Sequence, residues 1–123
     1  MNPVMSYRAR RLDTATPLQL LVMLYQELLR RIEMGAMCID DGKRIEALPH
    51  FHRAREVLTE LLGALDPVAA PQLCENLSDI YGWSMAELVV AGRSGDAARA
   101  RGVGRAIEPL LEGFQAVSSG AGR

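Results

Sequence analysis

The sequence predicts an all-α fold, an antiparallel up-down four-helix bundle preceded by an N-terminal arm. Apolar residues recur at three- and four-residue steps over four long stretches, and no stretch alternates with the period of two that a half-buried strand needs. The segments between those stretches are short and hold Gly, Pro or Asp, which suits tight connections between antiparallel neighbours. The expected organisation is an arm over residues 1–15, a bundle over 16–117 with helices at about 17–40, 44–65, 71–91 and 96–117, and a flexible tail over 118–123.

The first helix has the firmest start. Thr16 is suited to the N-cap, where its hydroxyl accepts from an otherwise unpaired amide of the first turn. Pro17 falls at the first helical position, where a missing N–H does no harm, and Gln19 completes a Thr-x-x-Gln capping box. Leu21, Tyr25, Leu28, Ile32 and Ile39 then share one face, while Leu18, Val22 and Leu29 fall on another. A helix this apolar around its circumference is either central in a bundle or covered by a partner. Asp41-Gly42 closes it, with Gly42 suited to the left-handed cap conformation.

In the second helix, Ala54, Val57, Leu58, Leu61, Leu62 and Leu65 repeat with helical period until Asp66-Pro67 ends it. Pro49 leaves two starts open, one near itself and one at Arg44 with a kink at the proline. Pro71 opens the third helix, with Leu73, Leu77, Ile80, Ser84 and Leu88 as its main stripe and Tyr81 and Trp83 flanking it. Gly92 to Gly95 is expected to break it. Asp96 opens the fourth, lined by Val103, Ile107, Leu110, Phe114 and Val117. Gly102, Gly104 and Pro109 weaken its middle, which is expected to be bent or loose.

At 123 residues the chain can build one core without staples. Its 49% apolar and 24% charged residues and net charge of −1 are ordinary for a soluble domain and leave no basic footprint for nucleic acid. No secretory signal is visible, and the longest apolar run, Leu20 to Tyr25, is far too short to span a bilayer. Cys38 and Cys74 lie inside helices without metal-type spacing and read as buried thiols of a reducing compartment. Together these point to a cytoplasmic protein without membrane insertion.

Catalytic constellations are missing. His50 and His52 lie two apart, so on a helix they diverge by about 200° and cannot readily share a metal. His52 and Glu56 could supply two ligands where a zinc site needs three or four. No Glu-x-x-His pair, nucleophile elbow, phosphate-cradling loop or dinucleotide fingerprint occurs. Neither an enzyme nor a cofactor is expected. What remains is surface for a partner: the two-faced first helix, Tyr81 and Trp83, and six adaptable methionines.

The order of signals resembles the FliS family of flagellar export chaperones over nearly the whole chain. That family opens with a tyrosine in a short arm, a Thr-Ala-Ser-Pro-like start and a helix holding Met-Leu-Tyr. Here these are Tyr7, Thr14-Ala15-Thr16-Pro17 and Met23-Leu24-Tyr25. Weaker similarity follows in Ala54 to Leu65, in Asn76-Leu77 with Ile80-Tyr81, in Leu88-Val89-Val90-Ala91 and in Ser94-Gly95-Asp96. The chain departs from the family at Gly92, which replaces an asparagine, and at Pro49, Gly102, Gly104, Pro109 and Val117.

The resemblance implies a cytoplasmic chaperone that binds the C-terminal helical segment of flagellin, prevents premature polymerisation and assists delivery to the flagellar type III export apparatus. It also implies that Tyr7 caps an empty apolar groove formed by the first helix and its neighbours, with Leu21, Tyr25 and Tyr81 as candidate lining residues. The chain would be a monomer or a homodimer. The competing reading is a structural or regulatory bundle that self-associates through the same apolar surface and carries no flagellin.

Overall fold

A computed structural model of the chain describes residues 15–120. Its helices are α1 over Pro17–Asp40, α2 over Arg44–Gly63, α3 over Pro71–Ser94 and α4 over Ala97–Ser118. They form a ring in which α1 and α3 each pack on α2 and α4, with the interfaces of α1 the more extensive. The α1–α3 and α2–α4 pairs therefore lie across the diagonals. This is the all-α four-helix bundle that the periodicity predicts, and no strand occurs among the described residues.

Local chemistry accounts for the ends of α1. The Thr16 hydroxyl accepts from the Gln19 amide at 3.1 Å, and the Thr16 amide donates to the Gln19 side-chain oxygen at 2.9 Å. A cap of this kind contributes about 1 kcal/mol. At the other end Gly42 adopts φ 76°, its amide donates to Ile39 O at 2.9 Å, and the Lys43 amide donates to Cys38 O at 2.8 Å. That pair of reversed bonds is a Schellman motif, and it turns the chain into α2.

Tertiary packing overrides propensity elsewhere. α2 starts at Arg44 and runs through Pro49, and α4 runs unbroken through Gly102, Gly104 and Pro109. Both prolines are exposed, so each helix gives up one bond on its wet face, where water serves the freed carbonyl. α3 also runs through Gly92, where a break is expected, and on to Ser94, because Gly92 is buried against α2 and its carbonyl accepts from Arg44 Nη1 at 3.2 Å. The stop falls at Gly95, in the left-handed conformation at φ 66°. Asp96 then opens α4, its Oδ1 accepting from the Arg99 amide at 2.9 Å. α2, for its part, ends at Gly63 rather than Leu65, and the Ala64 and Leu65 amides bond three residues back as the helix tightens and stops.

Tyr25, Phe51 and Tyr81 are the largest fully buried rings of the core. Ser84 is its one buried polar residue among the described residues, and its hydroxyl donates to Ile80 O at 2.7 Å. Phe51 projects from α2 between two glycines. A Cβ on Gly35 of α1 would lie 2.5 Å from Phe51 Cε1, and one on Gly92 of α3 would lie 3.4 Å from Phe51 Cδ2. The ring has no free side toward which to retreat.

Gly35→Ala is therefore expected to destabilise the protein. The gain in helix propensity, about 1 kcal/mol, is outweighed by an overpacking cost of about 1–3 kcal/mol and by the displacement of Phe51. Gly113→Ala, on an exposed stretch of α4 with nothing near its added Cβ, should instead raise stability by about 0.5–1 kcal/mol. Urea unfolding of the two variants should show shifts of opposite sign.

Candidate functional site

Tyr25 of α1 and Tyr81 of α3 reach across a diagonal of the bundle and hydrogen-bond hydroxyl to hydroxyl. Their ring centroids lie 6.4 Å apart, and Tyr25 also stacks on Phe114 of α4 at 5.4 Å with planes 19° apart. Burial pushes the pKa of both phenols above the ordinary value of 10, for Tyr25 with further help from the hydrogen bond and charge of Tyr81. The pair is thus neutral and fully buried. Leu21 lies one turn before Tyr25 on the same face, half-buried and packed on the core. Tyr7 lies outside the described residues. Of the candidate residues named from the sequence, Tyr25 and Tyr81 are brought together beneath the surface. A cargo contact with either ring would require the bundle to open.

The open surface beside this cluster is the seam between α1 and α4, which holds two hollows. One, of about 690 Å³, lies where α1 begins and α4 ends, between Gln19 and Val22 on one side and Glu112, Gln115 and Ser119 on the other. The second, of about 350 Å³, is floored by Leu29, Ile32 and Gly104 and rimmed by Glu33, Arg105 and Glu108. Val22 and Leu29 are a heptad apart on α1, and Glu108 and Glu112 are one turn apart on α4, so the hollows follow one seam. Gly104 keeps its middle open: a Cβ there would rest 3.9 Å from Ile32 Cγ2 and 4.0 Å from Leu29 Cδ2. Sequence reasoning registered Gly104 only as a weak helix residue. Its position facing α1 is the signal that would have marked it as a groove residue.

Arg101 closes the far end of the seam, its Nη2 2.7 Å from Asp40 Oδ2 and 3.0 Å from Glu33 Oε1. The α1–α2 seam differs, being crossed by a network of charges. Glu27 pairs with Arg30 at 3.0 Å, Arg31 at 3.2 Å and Arg53 at 3.6 Å. Arg31 Nη1 donates to His50 Nδ1 at 3.1 Å. Burial alone would raise the pKa of Glu27, but its hydrogen bonds from Arg30 and Arg31 prevail and hold it below the usual carboxylate value. Burial first, and the charges of Arg31 and Arg30 after it, lower the pKa of His50.

The site is thus a shallow groove with an apolar floor and a charged rim. Among the described residues no group of three or more His, Cys, Asp or Glu could hold a metal ion, and no helix is long and apolar enough to cross a membrane. The family model described as flagellar protein FliS matches residues 1–121. The chain belongs to the FliS family. No curated protein matches it closely enough to count as a relative. FliS membership makes it a flagellar export chaperone by family, and the match takes in all four helices.

In this FliS chain the buried phenol pair should behave as a unit. Tyr25→Phe or Tyr81→Phe alone strands a buried hydroxyl and should cost about 1–3 kcal/mol, whereas the double substitution should cost less than the sum. A double-mutant cycle on urea unfolding checks this. His50 sets a pH dependence of defined sign. The folded state favours the neutral ring, so the unfolded chain binds the proton first. Stability present above the unfolded value of 6.5 is then lost as pH falls through the lower folded value. The urea midpoint should drop between about pH 7.5 and about pH 5, and His50→Gln should flatten that drop. The stability that Glu27 contributes is present above its unfolded value of 4.5 and is lost only at lower pH, in a separate window.

Proposed function

We propose that this protein is a cytoplasmic export chaperone that binds the C-terminal segment of flagellin, prevents its premature polymerisation and assists its delivery to the flagellar type III export apparatus. The observation that carries this reading is the family match over residues 1–121. The α1–α4 seam supports it physically. An amphipathic segment of flagellin, unfolded when free, can lay its apolar stripe over Val22, Leu29, Ile32 and Gly104 and set its polar edges against the charged rim. Covering that stripe removes the surface through which flagellins associate. Part of the binding energy offsets the ordering of the segment, so affinity per unit area is modest and release during export is feasible.

In this proposal the arm acts as a lid. Tyr7 covers the empty groove where α1 begins and yields to cargo, Leu21 lies at its edge, and Tyr25 and Tyr81 support the wall from within. In this proposal the partner of the seam is a helix.

Calorimetric titration with the C-terminal segment of flagellin from the same organism should give saturable one-to-one binding with a negative heat-capacity change. No heat, and no complex on gel filtration, would sink the reading. Gly104→Leu projects a side chain over Leu29 and Ile32 and should weaken cargo binding at least tenfold, about 1.4 kcal/mol, while leaving thermal stability equal or higher. Tyr7→Ala should raise apolar-dye binding and cargo affinity together. If both stay unchanged, the arm is not a lid.

A further inference from the structure

The outer face of α3 is the least explained surface of the molecule. Trp83 is 45% exposed, Val90 40% and Val89 38%, and all three lie within the regular span of a 24-residue helix. With Gly82 and Ala86, both exposed, they form an uncharged strip. Asp79 bounds it at one end and Arg93 at the other. Neither has an ion-pair partner among the described residues, although many other charges on the bundle are paired.

The order of these residues carries the inference. Asp79, Gly82, Trp83, Ala86, Val89, Val90 and Arg93 recur at the three- and four-residue steps of a heptad seam. The positions are also evenly spaced on either side of Ala86, with complementary residue types at matching distances. Asp79 and Arg93 lie seven residues from it, Gly82 and Val90 four, and Trp83 and Val89 three. Two such helices laid antiparallel across a two-fold axis would place Ala86 on Ala86, Trp83 on Val89, and Val90 on Gly82. Each Asp79 would meet an Arg93, forming two ion pairs at the rims. A two-fold interface requires this kind of self-complementarity, since one patch must serve as both partners.

Gly82 supplies an independent observation. Glycine is unfavourable inside a helix, and a Cβ at this position would meet nothing within 4 Å, so no packing among the described residues calls for it. It does allow a second helix to approach closely and receive Val90.

We infer that this face of α3 is a homodimer interface, with the α3 helices of two copies paired antiparallel about Ala86. The inference rests on α3 and not on the cargo reading. α3 lies diagonally across from α1, so the pairing leaves the α1–α4 groove of each copy facing outward. The seam from Asp79 to Arg93 is about 21 Å long. One helix pair of that length is a small interface, so dimerisation is concentration-dependent, with a Kd on the order of micromolar.

Trp83 is the only tryptophan, so its emission reports on the interface directly. Sedimentation equilibrium of the full chain over about 1–500 µM should show a monomer–dimer equilibrium, with Trp83 emission shifting to the blue as the dimer fills. Arg93→Asp or Asp79→Arg alone sets like charges against each other and should weaken the dimer at least about tenfold, with the helical circular dichroism unchanged. The double swap Asp79→Arg with Arg93→Asp restores both pairs and should restore the dimer. Ala86→Cys should form an intermolecular disulfide under mild oxidation, while Gly113→Cys on α4 should not. A chain that stays monomeric throughout overturns the inference, as does a dimer indifferent to the charge reversals. So does a monomer in which Trp83 shifts only when the flagellin segment is added, which would give the face to cargo.

Discussion

Phe51 determines how closely the bundle can close at one end. Its ring lies between the backbones of α1 and α3 at Gly35 and Gly92, where a side chain on either helix would collide with it or crowd it. Arg44, two turns earlier on the same helix, donates to the Gly92 carbonyl and fixes α3 against α2. The opposite end is spaced by rings instead, with Tyr25 stacked on Phe114 and joined to Tyr81 through the hydroxyls. Close approach of backbone to a ring marks the first end. Stacked rings fill the second, and the larger hollow of the α1–α4 seam lies there.

Features that depend on near neighbours in the chain were legible in the sequence. The Thr16–Gln19 capping box, the left-handed turn at Gly42 and the Asp96 cap are all chemistry within a few residues, and all are present. Pro49, Pro109 and Gly92 were harder to read because their effect depends on direction. A proline on the wet face of a packed helix gives up one bond that water replaces, and a buried glycine gains contacts that outweigh its poor propensity. Periodicity assigns a residue to a face but does not say which helix that face meets. The diagonal union of Tyr25 with Tyr81, the ring of Phe51 between two glycines, and the opening left by Gly104 were therefore hidden, although each residue stood in plain view. Family resemblance named the cargo class, but it carried no information on which seam is open.

Two seams and one outer face of the bundle differ in character. Charges cross the α1–α2 seam, where Glu27, Arg31, Arg53 and His50 interlock. The α1–α4 seam is hollow, with a clasp at Arg101. The outer face of α3 is apolar between Asp79 and Arg93, with Trp83, Val89 and Val90 exposed. A monomeric helical protein normally keeps a polar face toward water, and two departures on opposite sides suit a molecule with more than one engagement to make. Exposed charge pairs add little to stability on their own. Their contribution lies in marking which seam is closed and which is left open.

Three of the four helix interfaces in this ring join helices that are adjacent in the chain, and the Gly95-Asp96 link is as short as such a link can be. The α1–α4 interface alone joins the first helix to the last. Closing it requires the longest loop, and the entropy of closure rises with loop length. Local pairs can form before this contact does, and it has the least covalent support when the bundle breathes. A helix seated in that seam would bridge the two ends of the chain. It would act as a staple whose effect falls chiefly on the rate at which the ring opens, and so on how long the folded chaperone persists.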